Sequence, residues 1–344
     1  MDSEIDVEAM RLLVTGGAGF IGSNVVHTLL PRPEVDRLVV LDCLTYAGHQ
    51  ANLAGAEEHS KYAFAKVDLR DQRAVTRLVH EEAISHVMHL AAESHVDRSI
   101  SGPSAFVETN VMGTFNLLEA CRELWANERS GCRFLHVSTD EVFGSLGETG
   151  AFLETSPYQP NSPYSASKAG ADHLVRAYYH TYGFPATITN CSNNYGPYQF
   201  PEKLIPQTIQ RAATGQSIPV YGNGTNIRDW LYVMDHVEAL WLGLTKGDAG
   251  ESYNIGGDNE WPNLRVVETI CDLVDNQLKR PTGTARKLIT FVKDRPGHDF
   301  RYAIDASKAR KELGWKPAYE FESALELTVD WYLTHLDWIE SVQL

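Results

Sequence analysis

The chain has 344 residues, of which 43 % are hydrophobic, and it carries a formal net charge of −15. Its length predicts a substantial core, built as one large domain or as two smaller ones. The negative charge argues against nucleic acid and against a membrane surface as partners, because both need a clustered positive field. A small anionic substrate is compatible with this charge, since a few Arg and Lys donors inside a cleft suffice to bind it.

Five cysteines are scattered along the chain and form no CxxC pair. This pattern favours neither a disulfide framework nor a zinc site, so we expect no metal, and a reducing cytoplasm fits it best. No apolar run is long enough to cross a membrane, and the opening segment MDSEIDVEAM is acidic where a signal peptide would be basic and then apolar. We expect residues 1–10 to be a disordered tail.

Short, β-branched apolar runs alternate with helical stretches through the first half of the chain, a pattern typical of βαβ units and a parallel sheet. The predicted strands are Arg11–Thr15, Arg37–Asp42, Tyr62–Val67, His86–Leu90, Arg133–Ser138 and Ala186–Asn190. From about Pro197 onward, Gly, Pro, Asn and aromatic residues favour irregular loops. We expect an α/β chain: a Rossmann doubly wound parallel sheet over residues 11–196, with a return near 232–258, and a smaller α+β substrate-binding lobe mainly over 197–340.

A glycine-rich turn follows the first predicted strand and opens a predicted helix. Its glycines, Gly16, Gly19 and Gly22, stand where a dinucleotide fold needs a tight turn and a close approach of the backbone to a pyrophosphate. Asp42 ends the second strand about 20 residues further on, where an acid that binds the adenosine ribose is expected. This acid favours NAD over NADP, because it would repel a 2′-phosphate. The plain alternative is a glycine turn followed by an unrelated surface Asp.

Two later strand ends complete the expected cofactor edge. Asp68 and Leu69 end the third strand and could meet the adenine, and Ala91 and Ala92 end the fourth, where small side chains would let the cofactor lie close.

Tyr164 and Lys168 are four residues apart at the start of a predicted helix, so they share one helical face. A phenol has an unperturbed pKa of about 10, and a nearby ammonium together with a positive nicotinamide would favour its phenolate. Tyr164 is therefore a candidate base. By itself a YxxxK pattern also occurs by chance on solvated helix faces.

The fifth strand ends in Ser138, Thr139, Asp140 and Glu141, at the edge of the sheet where ligands bind. A simple dehydrogenase needs a hydroxyl there, whereas two adjacent carboxyls add a candidate acid and a candidate base, which favours an elimination. The structural alternative is a strand-end turn in which Asp140 caps the backbone and Glu141 is solvated.

Several segments together resemble the extended short-chain dehydrogenase/reductase family, and within it the nucleotide-sugar 4,6-dehydratases. These segments are TGGAGFIGSN, AAESHVDRSI, STDEVFG, YSASKA, SNNYGPYQFPEKLIP and DRPGHD. The Thr-Asp-Glu triplet distinguishes this group, because epimerases of the family typically lack the Asp-Glu pair. Similarity to GDP-mannose dehydratases is weaker, since those usually lack the Asp.

The resemblance implies a reaction that uses NAD without net consumption on a dTDP-linked glucose. Tyr164 would take the proton of the sugar 4-hydroxyl, Thr139 would bind that oxygen, and Lys168 would hold the cofactor ribose. Glu141 would then remove the C5 proton while Asp140 protonates the departing 6-hydroxyl. The preference for dTDP over UDP rests on the resemblance alone.

The resemblance also implies larger sets of binding residues. The cofactor set is Gly16, Gly19, Phe20, Ile21, Gly22, Asp42, Leu44, Thr45, Asp68, Leu69, Leu90, Ala91, Ala92, Ser94, Thr109, Tyr164, Lys168 and Asn194. The substrate set is Ser94, Thr139, Asn193, Lys203, Leu204, Pro219, Tyr221, Arg228, Asn263, Arg295 and His298.

A homodimer is expected as well, because the predicted amphipathic helices Ser104–Asn127 and Tyr164–Tyr182 carry apolar faces that the family uses for pairing. The same faces could instead pack on the sheet. Two other functions are considered: a nucleotide-sugar 4-epimerase, and a non-catalytic, cofactor-binding regulatory protein on the same fold.

Overall fold

The computed structural model describes residues 10–126, 131–294 and 299–343. Its strands are β1 (Met10–Thr15), β2 (Val35–Asp42), β3 (Tyr62–Lys66), β4 (His86–His89), β5 (Arg133–Thr139), β6 (Ala186–Cys191), β7 (Asn193–Tyr195), β8 (Ile218–Tyr221), β9 (Ile227–Tyr232), β10 (Ser252–Ile255), β11 (Glu260–Pro262) and β12 (Ile289–Val292). Its α-helices are α1 (Phe20–Leu29), α2 (Gln72–Glu81), α3 (Val96–Ser101), α4 (Ser104–Phe106), α5 (Thr114–Leu124), α6 (Pro163–Tyr182), α7 (Leu204–Thr214), α8 (Val233–Lys246), α9 (Asn263–Gln277), α10 (Phe321–Thr334) and α11 (Leu336–Gln343).

Seven strands form one sheet in the order β10, β6, β5, β4, β1, β2, β3. The pairs β1–β2, β1–β4, β2–β3 and β4–β5 are parallel. The strand order reverses direction beside β1, which is the signature of the doubly wound Rossmann fold, and the predicted fold class is confirmed. All six predicted strands are present. The segment 232–258, where the sequence predicts a return to the sheet, contains α8 and the outermost strand β10.

The expected disordered tail is wrong at its last residue. Met10 begins β1 and pairs with Val35 of β2. Its apolar side chain is buried in the core and is 8 % exposed. Residues 1–9 lie outside the described part of the chain.

The chain divides into two compact units that alternate along the sequence. The first unit contains the described residues up to 137, together with 167–188 and 240–251. The second contains 138–166, 189–239 and the described residues from 252 onward. This division does not follow the sequence-based boundary near residue 196, since both β5 and α6 contribute residues to each unit. The assignment of one domain to the cofactor and one to the substrate stays a prediction.

The core of the first unit lies against the central strands. Leu13 and Val39 are fully buried there, together with apolar residues of α2 and α5. Trp125 stacks on Phe184 with ring centroids 5.2 Å apart, and its indole nitrogen donates to Ile84 O at 2.7 Å. Burial of these large side chains stabilises the sheet on which the strand ends are mounted.

The predicted helix Ser104–Asn127 is interrupted. A π-helical segment over Val107–Gly113 separates α4 from α5, and Asn127 lies outside the described residues. In this segment the Thr114 hydroxyl donates to Asn110 O at 2.6 Å. Single π-turns inside helices occur mostly at functional sites, so this segment is of interest for the site.

The second unit has its own small sheets. Strands β11, β9 and β7 form a three-stranded sheet, and β12 pairs with β8 in parallel. Helix α7 ends at Gly215, which adopts a left-handed conformation (φ 71°) typical of a helix C-terminus. Helix α10 is connected to the segment before α7 by Tyr332, whose hydroxyl donates to Gln199 O at 2.6 Å.

The burial of His236, near the start of α8, predicts that acid lowers the free energy of unfolding of this protein. His236 is fully buried, and burial lowers its pKa to about 3. The unfolded chain therefore binds more protons than the folded chain below pH 6.5, so stability falls as the pH falls through this value. Between pH 7.5 and pH 5 we expect protonation of His236 in the unfolded chain to lower the free energy of unfolding by about 2 kcal/mol. The slope below pH 6.5 is about 1.4 kcal/mol per pH unit.

Urea unfolding at these two pH values measures this effect. The variant His236→Gln should lose less stability on acidification than the unaltered chain, whereas exposed His335→Gln should follow the unaltered chain. An identical pH dependence in His236→Gln would show that this histidine does not carry the effect.

No helix among residues 10–126, 131–294 and 299–343 combines the length and apolarity that crossing a membrane would require.

Candidate active site

The glycine turn after β1 is as tight as the sequence predicts. Gly16 has φ 69°, and a Cβ placed on it would lie 2.7 Å from the Cα of Ala91. A Cβ on Gly22 would lie 2.1 Å from Gly16 O, so no other residue fits this position. Helix α1 begins at Phe20 directly after the turn, and its first N–H groups can therefore bind an anion.

Asp42 lies beside this turn, at the carboxyl end of β2. Its carboxylate accepts hydrogen bonds from Ala18 N at 3.0 Å and from Leu44 N at 2.8 Å. Burial raises the pKa of Asp42, although these backbone bonds oppose the rise. The carboxylate thus joins the glycine turn to the loop after β2, and its ribose-binding role stays a prediction.

The other predicted cofactor positions differ in exposure. Asp68 forms an ion pair with Arg70 at 2.7 Å, which lowers the pKa of Asp68. Leu69 is 3 % exposed and packs in the core. The remaining members follow strand ends or lie in helical segments, except Asn194, which lies in β7. They are half-buried Ile21, Leu44, Leu90, Ala91, Ala92, Ser94, Thr109 and Asn194, and exposed Thr45.

In the second unit, the end of β5 presents the predicted carboxyl pair in a short 3₁₀ turn over Asp140–Phe143. Thr139 caps this turn, since its hydroxyl accepts from Glu141 N at 3.3 Å and donates to Asp140 Oδ1 at 3.3 Å. Asp140 is 2 % exposed, and its other oxygen has no hydrogen-bond partner within the described residues. Burial, with the charges of Glu141 and Asp229, raises the pKa of Asp140 well above its usual range. A raised pKa favours the protonated carboxyl, so Asp140 is a candidate proton donor.

Tyr164 belongs to the same cluster. Its pKa is raised well above 10, first by burial and then by the charges of Glu141 and Cys191, while a hydrogen bond with Thr139 opposes the rise. In the surroundings that the protein alone provides, burial and negative charges outweigh the opposing hydrogen bond. The phenolate expected from the sequence includes the positive charge of a bound nicotinamide, so it stays a prediction.

Lys168 lies one turn after Tyr164 on α6. It is 4 % exposed, and its Nζ donates to Val137 O at 2.8 Å. The ammonium is thereby anchored to β5, two residues before Thr139. The predicted pairing of both residues on one helix is present.

Two residues of the second unit were missed by the sequence-based prediction. Asn190 Nδ2 donates to Thr139 O at 3.2 Å, and the charge of Glu141 contributes to a raised pKa of Tyr302. Asn190 stands near the end of β6, so the rule that ligands bind at strand ends could have identified it. No sequence pattern identifies Tyr302, because only the tertiary structure brings it near Glu141.

Among the predicted substrate residues, Arg228 is the most constrained. It is 6 % exposed, its guanidinium donates to Asp299 O at 3.0 Å, and it stacks over the ring of Tyr302 at 4.5 Å. The amide oxygens of Asn193 and Asn263 are buried and lack a hydrogen-bond partner in the described chain, so these amides retain binding capacity. Lys203 and Leu204 lie at the start of α7, and Pro219 and Tyr221 lie in β8. Arg295 and His298 fall outside the described residues.

A Rossmann sheet, a Tyr-Lys helix and a strand-end Thr define a member of the extended short-chain dehydrogenase/reductase class. The family model described as GDP-mannose 4,6 dehydratase matches residues 13–328, and the chain belongs to this family. A curated relative from Xanthomonas campestris pv. campestris (strain B100), named dTDP-glucose 4,6-dehydratase, is 57 % identical and covers 96 % of this chain and 95 % of its own length.

Solved structures of nucleotide-sugar enzymes are also similar to this chain. A double mutant of DesIV, a dTDP-glucose 4,6-dehydratase from Streptomyces venezuelae crystallised with NAD, is 44 % identical with a TM-score of 0.88, over 97 % of this chain and all of its own. The UDP-glucose 4-epimerase from Thermotoga maritima is more distant, at 28 % identity and a TM-score of 0.84, over 95 % of this chain and 100 % of its own.

Proposed function

We propose that this chain converts dTDP-glucose into dTDP-4-keto-6-deoxyglucose, with NAD as a cofactor that is regenerated in each turnover. One observation carries the proposal: the buried carboxyl Asp140, whose pKa is raised, and the second carboxyl Glu141 belong to the same cluster as Tyr164 and Thr139. An oxidation alone would leave both acids without a role, whereas the loss of water needs one proton donor and one proton acceptor. The dehydratase names of the relatives support the same reaction.

The residues divide the proton transfers among them. Tyr164 accepts the proton of the 4-hydroxyl, and Thr139 hydrogen-bonds that oxygen. NAD, when bound, supplies the chemistry of taking a hydride at C4 and returning one at C6. Glu141 removes the C5 proton, which the neighbouring ketone makes acidic, while Asp140 donates its proton to the departing 6-hydroxyl. Glu141 later returns a proton to C5.

The residues of the first unit fit the cofactor. Gly16 and Gly22 leave no room for a side chain, so the turn can carry a pyrophosphate close to the backbone. Asp42 would hold the adenosine ribose, and Lys168 the ribose of the nicotinamide half. The positive charge of the nicotinamide would assist the deprotonation of Tyr164, which the surrounding protein groups oppose.

The second unit would hold the nucleotide. The free binding capacity of Asn193 and Asn263 and the buried guanidinium of Arg228 suit the oxygens of a diphosphate. Lys203, Leu204, Pro219 and Tyr221 would line the base and deoxyribose, and Arg295 and His298 would complete the site.

We also propose a homodimer in the cytoplasm. Val107 and Met112 are each about half exposed, at 51 % and 48 %, along the helical stretch that the sequence predicts to pair subunits. Exposed apolar side chains of this kind favour burial in a partner. No disulfide joins the five cysteines, which suits a reducing compartment. Light scattering of the purified chain measures the assembly, and a monomer would contradict the dimer.

The alternative is a nucleotide-sugar 4-epimerase, which the structural similarity to the Thermotoga maritima enzyme favours. Turnover on dTDP-glucose and on UDP-glucose, followed by treatment with base, separates the two. A 4-keto-6-deoxy product develops an ultraviolet absorbance under base, whereas an epimerised sugar does not. We expect this absorbance with dTDP-glucose, at least about tenfold faster than with UDP-glucose, since small differences in a base pocket are worth about this factor. An epimerised sugar without this absorbance would reject the dehydratase.

A further inference from the structure

A buried chain of hydrogen bonds in the first unit is centred on His89, the last residue of β4. His89 is 1 % exposed. Its Nδ1 lies 2.7 Å from the hydroxyl of Thr15, and its Nε2 lies 2.9 Å from the hydroxyl of Thr114. Thr15 is the last residue of β1, directly before the glycine turn, and Thr114 begins α5 after the π-helical segment. One imidazole thus connects three segments near the carboxyl edge of the sheet.

The neighbouring bonds determine the direction of each hydrogen bond in this chain. The Thr15 hydroxyl accepts from Ala91 N at 3.2 Å, so its proton is available for His89 Nδ1. The Thr114 hydroxyl donates to Asn110 O at 2.6 Å, so it accepts a proton from His89 Nε2. His89 is therefore a neutral imidazole with its proton on Nε2. A protonated ring would donate from Nδ1 as well, so the Thr15 hydroxyl would have donors at both Ala91 N and His89 and no acceptor for its own proton.

The surroundings of His89 support the neutral form. The ring of His136, on β5, lies 5.2 Å away, and Lys168 belongs to α6. Burial, together with electrostatic repulsion from His136 and Lys168, lowers the pKa of His89 well below its usual range.

The chain joins the two turns that are predicted to contact the cofactor. The glycine turn and the turn after β4 already touch, since Gly16 has no room for a Cβ against Ala91. Beyond His89, the side chain of Asn110 accepts from Glu93 N at 2.8 Å and donates to Glu93 O at 3.0 Å. Its amide also donates to the hydroxyl of Ser167 at 2.8 Å, one residue before Lys168 on α6. A displacement of either turn would break several of these bonds.

We infer that His89 is a positioning residue for NAD: as a neutral imidazole that accepts from Thr15 and donates to Thr114, it holds the turns after β1 and β4 in the arrangement that binds the dinucleotide. The inference rests on the proposed function in one respect, namely that NAD is the cofactor. His89 itself needs no contact with NAD, because it acts through the backbone of Gly16 and Ala91.

Three substitutions of His89 distinguish its hydrogen bond with Thr15 from its hydrogen bond with Thr114. His89→Leu removes both hydrogen bonds, so the Thr15 hydroxyl loses the acceptor of its proton and the Thr114 hydroxyl loses a donor. His89→Asn keeps an acceptor at the position of Nδ1 for Thr15, and His89→Gln keeps only a donor at the position of Nε2 for Thr114. A matched control is His86→Leu, the same change at the opposite end of β4, where the histidine contacts Ser85 rather than the turns.

The measurements are the NAD dissociation constant of the stripped full-length protein and the amount of NAD retained on purification. We expect His89→Leu and His89→Gln to raise the dissociation constant at least about tenfold, equivalent to about 1.4 kcal/mol, and His89→Asn to stay within about threefold of the unaltered chain. Activity of His89→Gln should recover when NAD is added to saturation. His86→Leu should lower the melting temperature without changing NAD affinity.

Unchanged affinity in His89→Leu and His89→Gln would overturn the inference, as would an equal loss in His86→Leu. If His89→Leu does not fold, the comparison of His89→Gln with His89→Asn decides, and equal affinities in these two would overturn the inference. If the unaltered chain itself binds no NAD, the proposed function fails instead.

Discussion

Replacing Asp140 by Asn is expected to lower kcat for the release of water from dTDP-glucose by about two orders of magnitude or more, the usual contribution of a positioned acid. Burial and the charges of Glu141 and Asp229 raise the pKa of this carboxyl, which favours the protonated form that the leaving hydroxyl needs. An amide has nearly the same shape and no acidic proton. The oxidation at C4 does not need Asp140, so mixing the variant with substrate should still produce reduced nicotinamide.

Glu141→Gln should lower kcat for water release by a similar factor, but it should be distinguishable from Asp140→Asn by isotope exchange. Because Glu141 is proposed to remove and later return the C5 proton, the variant should incorporate almost no deuterium at C5 when the reaction is run in heavy water. Exposed Asp330→Asn, on α10, serves as the control and should keep full activity. Full rates of water release in both Asp140→Asn and Glu141→Gln would contradict the elimination roles.

Tyr164→Phe is expected to lower kcat by about 10²- to 10⁴-fold and to stop the reaction before any reduced nicotinamide forms. This distinguishes it from Asp140→Asn, which stops after the oxidation. A matched control on the same helix is Tyr182→Phe, since Tyr182 is 43 % exposed and its ring is retained in the variant. Rapid formation of reduced nicotinamide in Tyr164→Phe would remove Tyr164 from the role of base.

The pH dependence of the oxidation step tests the electrostatics around Tyr164. The negative charge of Glu141 raises the pKa of the phenol, so its removal should lower that pKa. In Glu141→Gln, formation of reduced nicotinamide should therefore reach its maximum rate at a lower pH than in the unaltered chain. Single-turnover measurements across a pH series show this shift, and a shift to higher pH would contradict the arrangement.

The same cluster shows why the chemistry of a side chain is harder to predict than its position. The YxxxK spacing placed Tyr164 and Lys168 one helical turn apart, which the 3.6-residue period of a helix ensures. The pKa of Tyr164 depends instead on burial and on the charges of Glu141, in the turn after β5, and of Cys191, in β6. No local pattern contains these contacts, so the sequence predicted a candidate base without predicting how the surrounding protein groups shift its pKa.

The sequence by itself determined the features that depend on short-range patterns. The apolar runs predicted six strands, the glycine spacing predicted the tight turn at Gly16 and Gly22, and strand ends indicated Asp42 and Thr139. Each follows from local steric rules or from the period of a strand or helix. The resemblance then supplied the reaction, which the curated relatives support.

Only the tertiary structure decided which distant residues meet. The raised pKa of Asp140 depends on burial and on the charges of Glu141 and of Asp229 from β9, and the hydrogen-bond chain of His89 needs Thr15 and Thr114 from two other segments. Met10, assigned by composition to a tail, is a strand residue because Val35 pairs with it. The physical reason is common to all three cases: burial and charge act through space, so they depend on contacts that spacing along the chain does not contain.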